Sequence, residues 1–590
     1  MTPLEQAFMD ENWGAPVRIE TAKDHPTLIV APENLLNISR RLKDDPKFHF
    51  DLLTDITAVD HLHRAPRFQV VYHLYSTRSA RRVRVNLFLP SEQPSVDSVT
   101  PVWPAADWYE RELFDLFGIH FRGHPNLKRL IMPGRWIGHP LRKDYPLGGE
   151  EVLFSHNRGQ IEQQVIPWDQ LEDEAEVYEE IDLDQAKTSG FIGTVPESET
   201  QVNPMRLDLN MGPQHPGTHG LLRLVLHLEG EVVRDVEPHI GYLHTGIEKS
   251  MERLSYPQAL TMTDRADYVS NLNNNLAYCM AVENLLGLEI PLRAQYARVI
   301  LNELERLASH MVWLAALSFD MGVMSAFFYC FELRERVLEI KNLCSGVRMM
   351  TSYITVGGLR MDLPNGFHEK VQNILEPFPD KIGELEKMLD DNPIWIRRLK
   401  GTGKLSPEEA IAWSVTGPPA RASGIKWDLR KSNPYSCYDH FEFDLPLGSE
   451  GDNYDRYRVR MEEMRQSLRI IRQALDRLPG GAFRSDDRKV VLPPREELER
   501  SMEAVIHHFL ISSDGFLVPP GEAYAAVEGP RGELGYYIHS DGGNKPYRVK
   551  IRDPSFAHAQ AIPVMARGGM VADIIALIAT IDPVLGGIDR

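Results

Sequence analysis

Two histidines in a short loop-forming segment are the first residues whose types and spacing indicate chemistry. His215 and His219 lie four residues apart in the string MGPQHPGTHG. Because prolines restrict the backbone and glycines permit tight bends, we expect a stiff loop here. A proline and a glycine separate the histidines, so no helix presents both rings on one face as in a helical metal site. A metal ligand, a proton donor near neutral pH and a loop histidine without chemistry remain as alternatives.

Two further groups of polar residues follow along the chain. Asp264, Arg265, Asp267 and Tyr268 lie in MTDRADYVSNLNNN, at the predicted start of a helix that continues through several asparagines. Helix capping explains acidic residues at the start of a helix, and taken by themselves these residues favour the capping interpretation. Asp320 ends a long helical pattern, where the helix dipole disfavours an acid. Either it is a turn residue, or a nearby cation or imidazole stabilises it; a carboxylate behind a histidine would fix the tautomer of that histidine.

The elements that must position these residues predict an α+β chain of two domains. Residues 1–165 indicate a small α/β domain, in which the alternating strings RFQVVYHLYS and RRVRVNLFLP predict a hairpin and PAADWYERELFDLFG a helix. Residues 166–205 indicate a linker, since its acidic run has too few apolar residues for a core. Residues 206–590 indicate a helical bundle with β segments at its two ends. Its long helices are predicted near 267–287, 291–318, 325–350, 367–390 and 455–478.

Composition narrows the class of protein. The net charge of −19 argues against a nucleic-acid binder, which would show a basic surface. No run of about 18 apolar residues, the length that a membrane span needs, occurs in the sequence. The four cysteines form no CxxC pair, which argues against a disulfide framework, a zinc site and an iron–sulfur cluster. We therefore expect a reduced, cytoplasmic protein whose redox clusters, if any are involved, lie on other chains.

Longer strings resemble a known family. The second part resembles the D (49-kilodalton) subunit of respiratory complex I, the NADH:quinone oxidoreductase, in GPQHPGTHGLLRL, EPHIGYLHTGIEK, DRADYVS, SGIKWDLRKSNPY, YDRYRVRMEEMRQSLRII, SMEAVIHHF and DPVLGGIDR. The first part resembles the C (30-kilodalton) subunit in WYERELFDLFGIHFRGHPNLKRLIMP and GHPLRKDYPL. Apart from the acidic linker, almost the whole chain is similar to the fusion of these two subunits found in some bacteria.

The resemblance also bears on the question of a metal. The 49-kilodalton subunit is related to the large subunit of nickel–iron hydrogenases, which implies a hydrogenase-like bundle and a pocket where four cysteines would bind metals. In the corresponding strings, RADYVS and DPVLGGIDR, those cysteine places hold Asp267, Ser270, Val584 and Gly587. With the soft ligands absent, a nickel–iron centre is not expected, which disfavours a soluble hydrogenase. In the complex I family the former metal pocket is the quinone headgroup site.

Residue roles follow from the same resemblance. His219 and Tyr268 match the two ligands of the quinone carbonyl oxygens, and Asp320 matches the carboxylate that pairs with the histidine. Arg265 matches an arginine beside the terminal [4Fe–4S] cluster, which belongs to the neighbouring B subunit. Imidazole and phenol donors suit a reduction that takes two electrons and two protons. One hypothesis is that loss of a proton from His219 leaves Asp320 without its partner and triggers movement; normal pumping by an Asp320→Asn variant would contradict it.

Cofactors, partners and location are likewise implied by the resemblance. The chain would bind quinone but no metal or cofactor of its own, with the iron–sulfur clusters, FMN and NADH on other subunits. Its partners would be the B, I and H subunits, and the E, F and G subunits of the peripheral arm, in a proton-pumping enzyme at the cytoplasmic face of the bacterial inner membrane. Membrane contact would arise only through the complex.

The first part of the chain is expected to have a structural role. The first part shows no chemical constellation, so we expect it, with its basic segment GHPLRKDYPL, to dock the peripheral arm. The alternative for the whole chain is a structural scaffold that joins the peripheral and membrane arms.

Two residues depart from the pattern of mitochondrial relatives. Thr245 and Met350 replace an arginine and a histidine that those relatives carry near the cluster, so the reduction potential of the cluster is expected to differ.

Overall fold

The computed structural model describes residues 3–146 and 206–590, so the predicted linker at 166–205 and the end of the predicted first domain lie outside it. The first part contains a five-stranded sheet in the order β1-β2-β5-β4-β3, within the described residues. Its elements are α1 (Pro3–Met9), β1 (Val17–Thr21), β2 (Pro26–Val30), α2 (Leu35–Asp44), β3 (Leu52–Asp60), β4 (Phe68–Ser76), β5 (Arg81–Leu89), β6 (Ser95–Asp97), α3 (Ala106–Phe117) and β7 (His120–Arg122).

The predicted hairpin is confirmed, since β4 and β5 pair antiparallel over their whole length. Every residue of β4 is buried, although its sequence alternates between apolar and polar residues. The polar positions are covered by the second part of the chain. Gln69 donates to Glu522 at 2.6 Å, and the Tyr75 hydroxyl donates to Asn433 at 2.9 Å. The predicted helix is α3, which Gly118 ends in the left-handed conformation.

The second part is a helical bundle with a three-stranded antiparallel sheet near each end of its sequence, β10-β9-β8 and β13-β14-β15. Its first elements are β8 (Arg206–Met211), β9 (Arg223–Glu229), β10 (Val232–His239), α4 (Ile247–Met251), α5 (Tyr256–Ala266), α6 (Asn271–Leu286), α7 (Leu292–Asp320), α8 (Met324–Ser345), β11 (Ile354–Thr355), β12 (Gly358–Leu359), α9 (Phe367–Leu375) and α10 (Phe378–Asp390). Its later elements are α11 (Pro393–Leu399), α12 (Pro407–Ala412), α13 (Gly417–Ala422), α14 (Leu429–Ser432), α15 (Asn453–Asp476), α16 (Arg495–Leu498), α17 (Met502–Ser513), β13 (Gly521–Gly529), β14 (Gly532–Ser540), β15 (Arg548–Arg552), α18 (Pro554–Gln560), α19 (Ile562–Ala566), α20 (Val571–Ile581) and α21 (Leu585–Asp589).

The predicted long helices occur as α6, α7, α8 and α15, whereas the one predicted at 367–390 is two helices. Pro377 separates α9 from α10, because proline lacks the amide donor and disfavours helix in the preceding residue. The polar side of α7 is buried as well as its apolar stripe, including Asn302, Glu305 and Arg306. The reason is that α7 lies inside the bundle, in contact with α8, α15 and α20.

The two parts of the chain share one hydrophobic core, which contains residues of β3, β4 and α3 together with residues of α18 to α21. The rings of Trp108 and Phe556 meet across this boundary, with centroids 5.4 Å apart. Buried ion pairs cross it too, and Lys550 Nζ lies 2.6 Å from a Glu112 carboxylate oxygen. In the segment GHPLRKDYPL, Lys143 pairs with a glutamate of the second part at 2.8 Å. No helix in the described ranges is long and apolar enough to cross a membrane.

Candidate functional site

The histidine loop joins β8 to β9 and is held by its own hydrogen bonds. His215 Nδ1 accepts from the amide of Gly217 at 3.1 Å, and Thr218 Oγ1 donates to the His215 carbonyl at 3.0 Å. The loop rests on α20, since a Cβ built on Gly217 would lie 3.3 Å from Ile575 Cγ2. His219 follows the tight turn with a φ of 56°, a left-handed conformation that is uncommon for residues other than glycine. The loop geometry therefore fixes the direction in which the His219 ring points.

Tyr268 lies in the connection between α5 and α6. Asp264 and Arg265 belong to the last turn of α5 rather than to the start of a helix, which corrects the predicted boundary. Asp267 Oδ1 accepts from the amide of Ser270 at 3.1 Å, just before α6 begins. Asp267 is the residue that ends α5, and its carboxylate closes the turn before Ser270, the N-cap of α6, so the predicted capping of a helix start by these acids is wrong.

A buried arginine ties the Tyr268 segment to the end of α20. Arg531 lies in the turn between β13 and β14, and its Nη1 donates to Asp267 Oδ2 at 2.9 Å. Its Nε donates to the Asp582 carbonyl at 3.0 Å, and its Nη2 donates to Asp582 Oδ1 at 3.3 Å. All three side chains are buried. Hydrogen bonds between charged groups are stronger than neutral ones, so this bridge fixes three separate loops relative to one another.

The same two charges act on both predicted quinone ligands. Burial lowers the pKa of His219; the Asp582 carboxylate acts to raise it and Arg531 to lower it. Burial raises the pKa of Tyr268, which Arg531 acts to lower and the carboxylates of Asp267 and Asp582 to raise. The His219 residue is exposed as a whole, although neighbouring protein atoms partly desolvate its ring. At neutral pH the imidazole is therefore mainly neutral and the phenol protonated.

Among the described residues, neither the His219 ring nor the Tyr268 hydroxyl makes a hydrogen bond to another protein group. The described residues also contain no group of three or more His, Cys, Asp or Glu side chains arranged to hold a metal ion. The site therefore offers two uncommitted donors beside a charged bridge.

Asp320 is the last residue of α7, as predicted, and the histidine whose charge acts on its carboxylate is His215 rather than His219. Burial raises the pKa of Asp320, and the charge that acts to lower it is that of His215. In the part of the chain that the structure describes, Asp320 and His219 form neither a hydrogen bond nor an ion pair. The turn at Pro216–Thr218 separates the two histidines along the loop. The charge of His215 acts on Asp320, whereas His219 experiences Asp582 and Arg531. The pairing of Asp320 with His219 stays a prediction.

Arg265 lies apart from this group. Its guanidinium is exposed and donates to the carbonyl of Thr261, one turn earlier in α5. It therefore remains at the surface of the described chain.

The strings RADYVS and DPVLGGIDR meet at the base of the site. A Cβ built on Gly586 would lie 2.7 Å from the carbonyl oxygen of Arg265, so the backbone of α21 packs directly on the end of α5. A Cβ built on Gly587 would overlap the Asp553 carboxylate, with Oδ1 only 2.8 Å away. The Val584 amide donates to Ser555 Oγ at 3.3 Å. Backbone and a buried aspartate thus pack closely against Gly586 and Gly587.

The asparagine run of α6 is buried behind the site rather than lining it. Asn275 donates to Asp264 Oδ1 at 2.7 Å, and Asn271 accepts from Lys341 at 2.9 Å. Lys341 also pairs with Glu305 at 2.8 Å. These residues connect α5, α6, α7 and α8, so they stabilise the frame on which Tyr268 is mounted.

No sequence motif marks Arg531 or Asp582 as residues of the site. A signal exists in the string EGPRGELGYY, where glycines and a proline predict a turn that carries one arginine. Nothing in that string indicates where the arginine points, since its partners lie 264 and 51 residues away.

Two stretches of the chain match known protein families. Residues 28–151 match the family described as respiratory-chain NADH dehydrogenase, 30 Kd subunit. Residues 320–590 match the family described as respiratory-chain NADH dehydrogenase, 49 Kd subunit.

Relatives extend these matches. The C/D subunit of the NADH-quinone oxidoreductase of Gluconacetobacter diazotrophicus is 43% identical, over 98% of this chain and 94% of that protein. The C/D subunit of the Methylococcus capsulatus enzyme is 43% identical, over 97% of this chain and 96% of that protein. A D-type subunit of the enzyme of a Roseiflexus species is 55% identical, over 67% of this chain and 94% of that protein. The chain therefore belongs to the family of fused C/D subunits of NADH-quinone oxidoreductase, and is a subunit of that oxidoreductase complex.

Proposed function

We propose that the second part of the chain forms the site where the complex reduces quinone, with His219 and Tyr268 as donors to the two carbonyl oxygens. The observation that carries this proposal is that both side chains end in uncommitted polar groups and experience the same Arg531–Asp582 bridge. A quinone headgroup presents two acceptors at opposite ends of one ring, which a phenol and an imidazole complement.

The protonation states suit this chemistry. Reduction to quinol adds two electrons and two protons, and negative charge develops on both oxygens. A terminal [4Fe–4S] cluster on the B subunit would supply the electrons. The Tyr268 hydroxyl, protonated at neutral pH, donates to one oxygen and stabilises its charge. Because burial lowers the pKa of His219, its ring is mainly neutral at neutral pH, and the ring N–H donates a hydrogen bond to the other oxygen.

Asp320 acts in this proposal through His215. The carboxylate at the end of α7 experiences the charge of His215, whose Nδ1 accepts a hydrogen bond within the turn that precedes His219. A change in the charge of either group is therefore felt in the loop that presents the donor. This arrangement keeps Asp320 in the site but assigns it to the loop rather than to the His219 ring.

The rest of the proposal concerns the place of the chain in the complex. The first part docks the peripheral arm, with the B, I, H, E, F and G subunits as partners. The site is a former hydrogenase-type metal pocket and the chain holds no cofactor itself. The exposed guanidinium of Arg265 faces the cluster of the B subunit. The enzyme pumps protons and lies at the cytoplasmic face of the bacterial inner membrane, which this chain reaches only through other subunits.

Two substitutions test the proposed donors in membranes that contain the assembled complex. We expect Tyr268→Phe and His219→Ala to reduce NADH oxidation by quinone about a hundredfold, the effect of losing one well-placed donor. NADH oxidation by ferricyanide, which accepts electrons upstream, should be retained. Tyr454→Phe and His368→Ala make the same chemical changes outside the site and should leave both activities normal.

The same measurements separate the proposal from the scaffold alternative. Loss of both activities in the Tyr268 and His219 variants would indicate failed assembly and favour a purely structural role. Retention of both activities would show that neither side chain contacts the quinone. The scaffold alternative draws its support from the shared core and the buried ion pairs between the two parts.

A further inference from the structure

We propose that Arg531 is the positioning residue of the quinone site, holding the Tyr268 segment and the end of α20 at a fixed separation. This inference rests on the proposed function. It concerns a residue that contacts neither quinone oxygen in the proposal and acts through the two acids it binds.

The geometry of the guanidinium is the first observation. One nitrogen, Nη1, is bound to Asp267, the residue before Tyr268, at 2.9 Å. The other two nitrogens are bound to Asp582, one to its carbonyl at 3.0 Å and one to its carboxylate at 3.3 Å. A planar guanidinium presents donors in a fixed fork, so it can span two acids that a lysine ammonium would not hold together. The arginine therefore sets the distance between the two strings that form the site.

The support of Arg531 is rigid, which is the second observation. Arg306 on α7 donates at 2.9 Å to the carbonyl of Gly529, at the end of β13. On the other side of the turn, a Cβ built on Gly532 would lie 2.9 Å from the Thr416 carbonyl carbon, so this backbone packs tightly against the residue before α13. The hairpin is thus anchored to two other elements and presents the arginine at a fixed place.

The charges around the guanidinium are the third observation. Asp267, Asp582 and Asp553 act on Arg531, as does the Tyr268 hydroxyl. Arg460 on α15 acts on Asp582 together with His219, and Glu305 on α7 is influenced by Asp267. Ionisable groups thus surround the bridge from the connection before α6 and from α7, α15, α18 and α20.

The charge and the shape of Arg531 have separable effects. Its positive charge acts to lower the pKa of Asp582, of Tyr268 and of His219. Removal of the charge should therefore raise all three pKa values and move the pH profile of quinone reduction upward. Replacement by lysine keeps the charge but loses the fork, so it should slow the reaction without moving the profile.

The test compares Arg531→Lys with Arg531→Gln in membranes that contain the complex. For Arg531→Lys we expect kcat for quinone to fall about tenfold, as small misplacements of a donor do, with KM and the pH midpoint unchanged. For Arg531→Gln we expect a larger fall and a pH midpoint displaced upward. Ferricyanide activity should be normal in both. Arg458→Lys and Arg458→Gln, at an exposed arginine paired with Glu386, are matched controls.

Two results would overturn the inference. Normal kcat and pH dependence in Arg531→Lys would show that the fork has no positioning role. The second result is a loss of ferricyanide activity in both Arg531 variants together with normal quinone reduction by Asp582→Asn. Asp582→Asn removes a charge with little change in volume, so this result would show that Arg531 acts in assembly alone. If Tyr268→Phe is inactive with quinone while Arg531→Lys is normal, only this inference fails. If Tyr268→Phe is active, the proposed function itself fails.

Discussion

A buried aspartate at the boundary between the two parts should make the chain less stable as the pH rises. Asp55 lies on β3, completely buried, and neither carboxylate oxygen has a hydrogen-bond partner among the described residues. Its charged neighbours come from both parts: Lys550 and Arg590 favour the ionised form, whereas Glu112 and Glu248 oppose it. Replacing the carboxyl with the amide of Asn keeps the shape and removes the ionisation.

The size of the effect follows from the pKa. Burial raises the pKa of Asp55 from 3.8 to about 7. In the unfolded chain the group ionises above about pH 4, whereas in the folded chain it stays protonated until about pH 7, so the folded state binds this proton more tightly. The stability that Asp55 contributes is therefore present below pH 4 and is lost as the pH rises to 7. Over this range the contribution of Asp55 to the free energy of unfolding falls by about 4 kcal/mol, at 1.36 kcal/mol for each unit of the pKa shift.

The measurement is urea-induced unfolding of the purified full chain at pH 5 and pH 8. The free energy of unfolding of Asp55→Asn, relative to that of the wild type, should be higher at pH 8 than at pH 5 by about 2–3 kcal/mol. Asp97→Asn is the matched control, since its exposed pair with Arg122 contributes less than about 1 kcal/mol at either pH. A difference between Asp55→Asn and the wild type that is the same at both pH values would refute the argument.

Two further substitutions probe the packing described above. Gly587→Ala places a methyl group against the Asp553 carboxylate, so the chain should lose about 1–3 kcal/mol, measured as a lower thermal midpoint. Gly480→Ala enters open space and should change nothing; equal midpoints for both variants would contradict the prediction. Lys550→Met leaves Glu112 without its closest lysine and should cost about 3 kcal/mol in urea unfolding. Adding Glu112→Leu removes the unpaired carboxylate but also a partner of Arg590 at 3.1 Å, so it should restore part of that loss; no recovery would show that the unpaired Glu112 is not the cause.

Local periodicity was enough to predict the long elements. The apolar repeat of α7 and the alternation of β4 and β5 each depend on neighbours within one element, which the sequence displays directly. The periodicity does not show which other residues cover an element in the folded chain. The polar residues of β4 face Glu522 and Asn433, hundreds of positions later, so their burial was not predictable from alternation.

In the candidate site, too, local features were predictable from the sequence and long-range contacts were not. Its histidine loop was predictable as a stiff turn from its prolines and glycines, and the family resemblance supplied His219 and Tyr268. The tight turn separates the two histidines, and the sequence spacing does not show that the charge acting on Asp320 is that of His215. Arg531 depends on a hairpin that brings together three loops far apart in sequence, and no spacing rule encodes such a contact.

The mixed core of the two parts bears on how such a chain is made and kept together. Joining the parts in one polypeptide gives the first part an effective concentration near the second of about millimolar, so their association no longer depends on cellular abundance. The contact itself is built from packed rings and paired charges, which a cut in the connecting segment would leave in place. A polypeptide that carries the second part alone would expose Lys550 and the apolar residues beside it, and would have to recruit a separately synthesised protein before it could remain in solution.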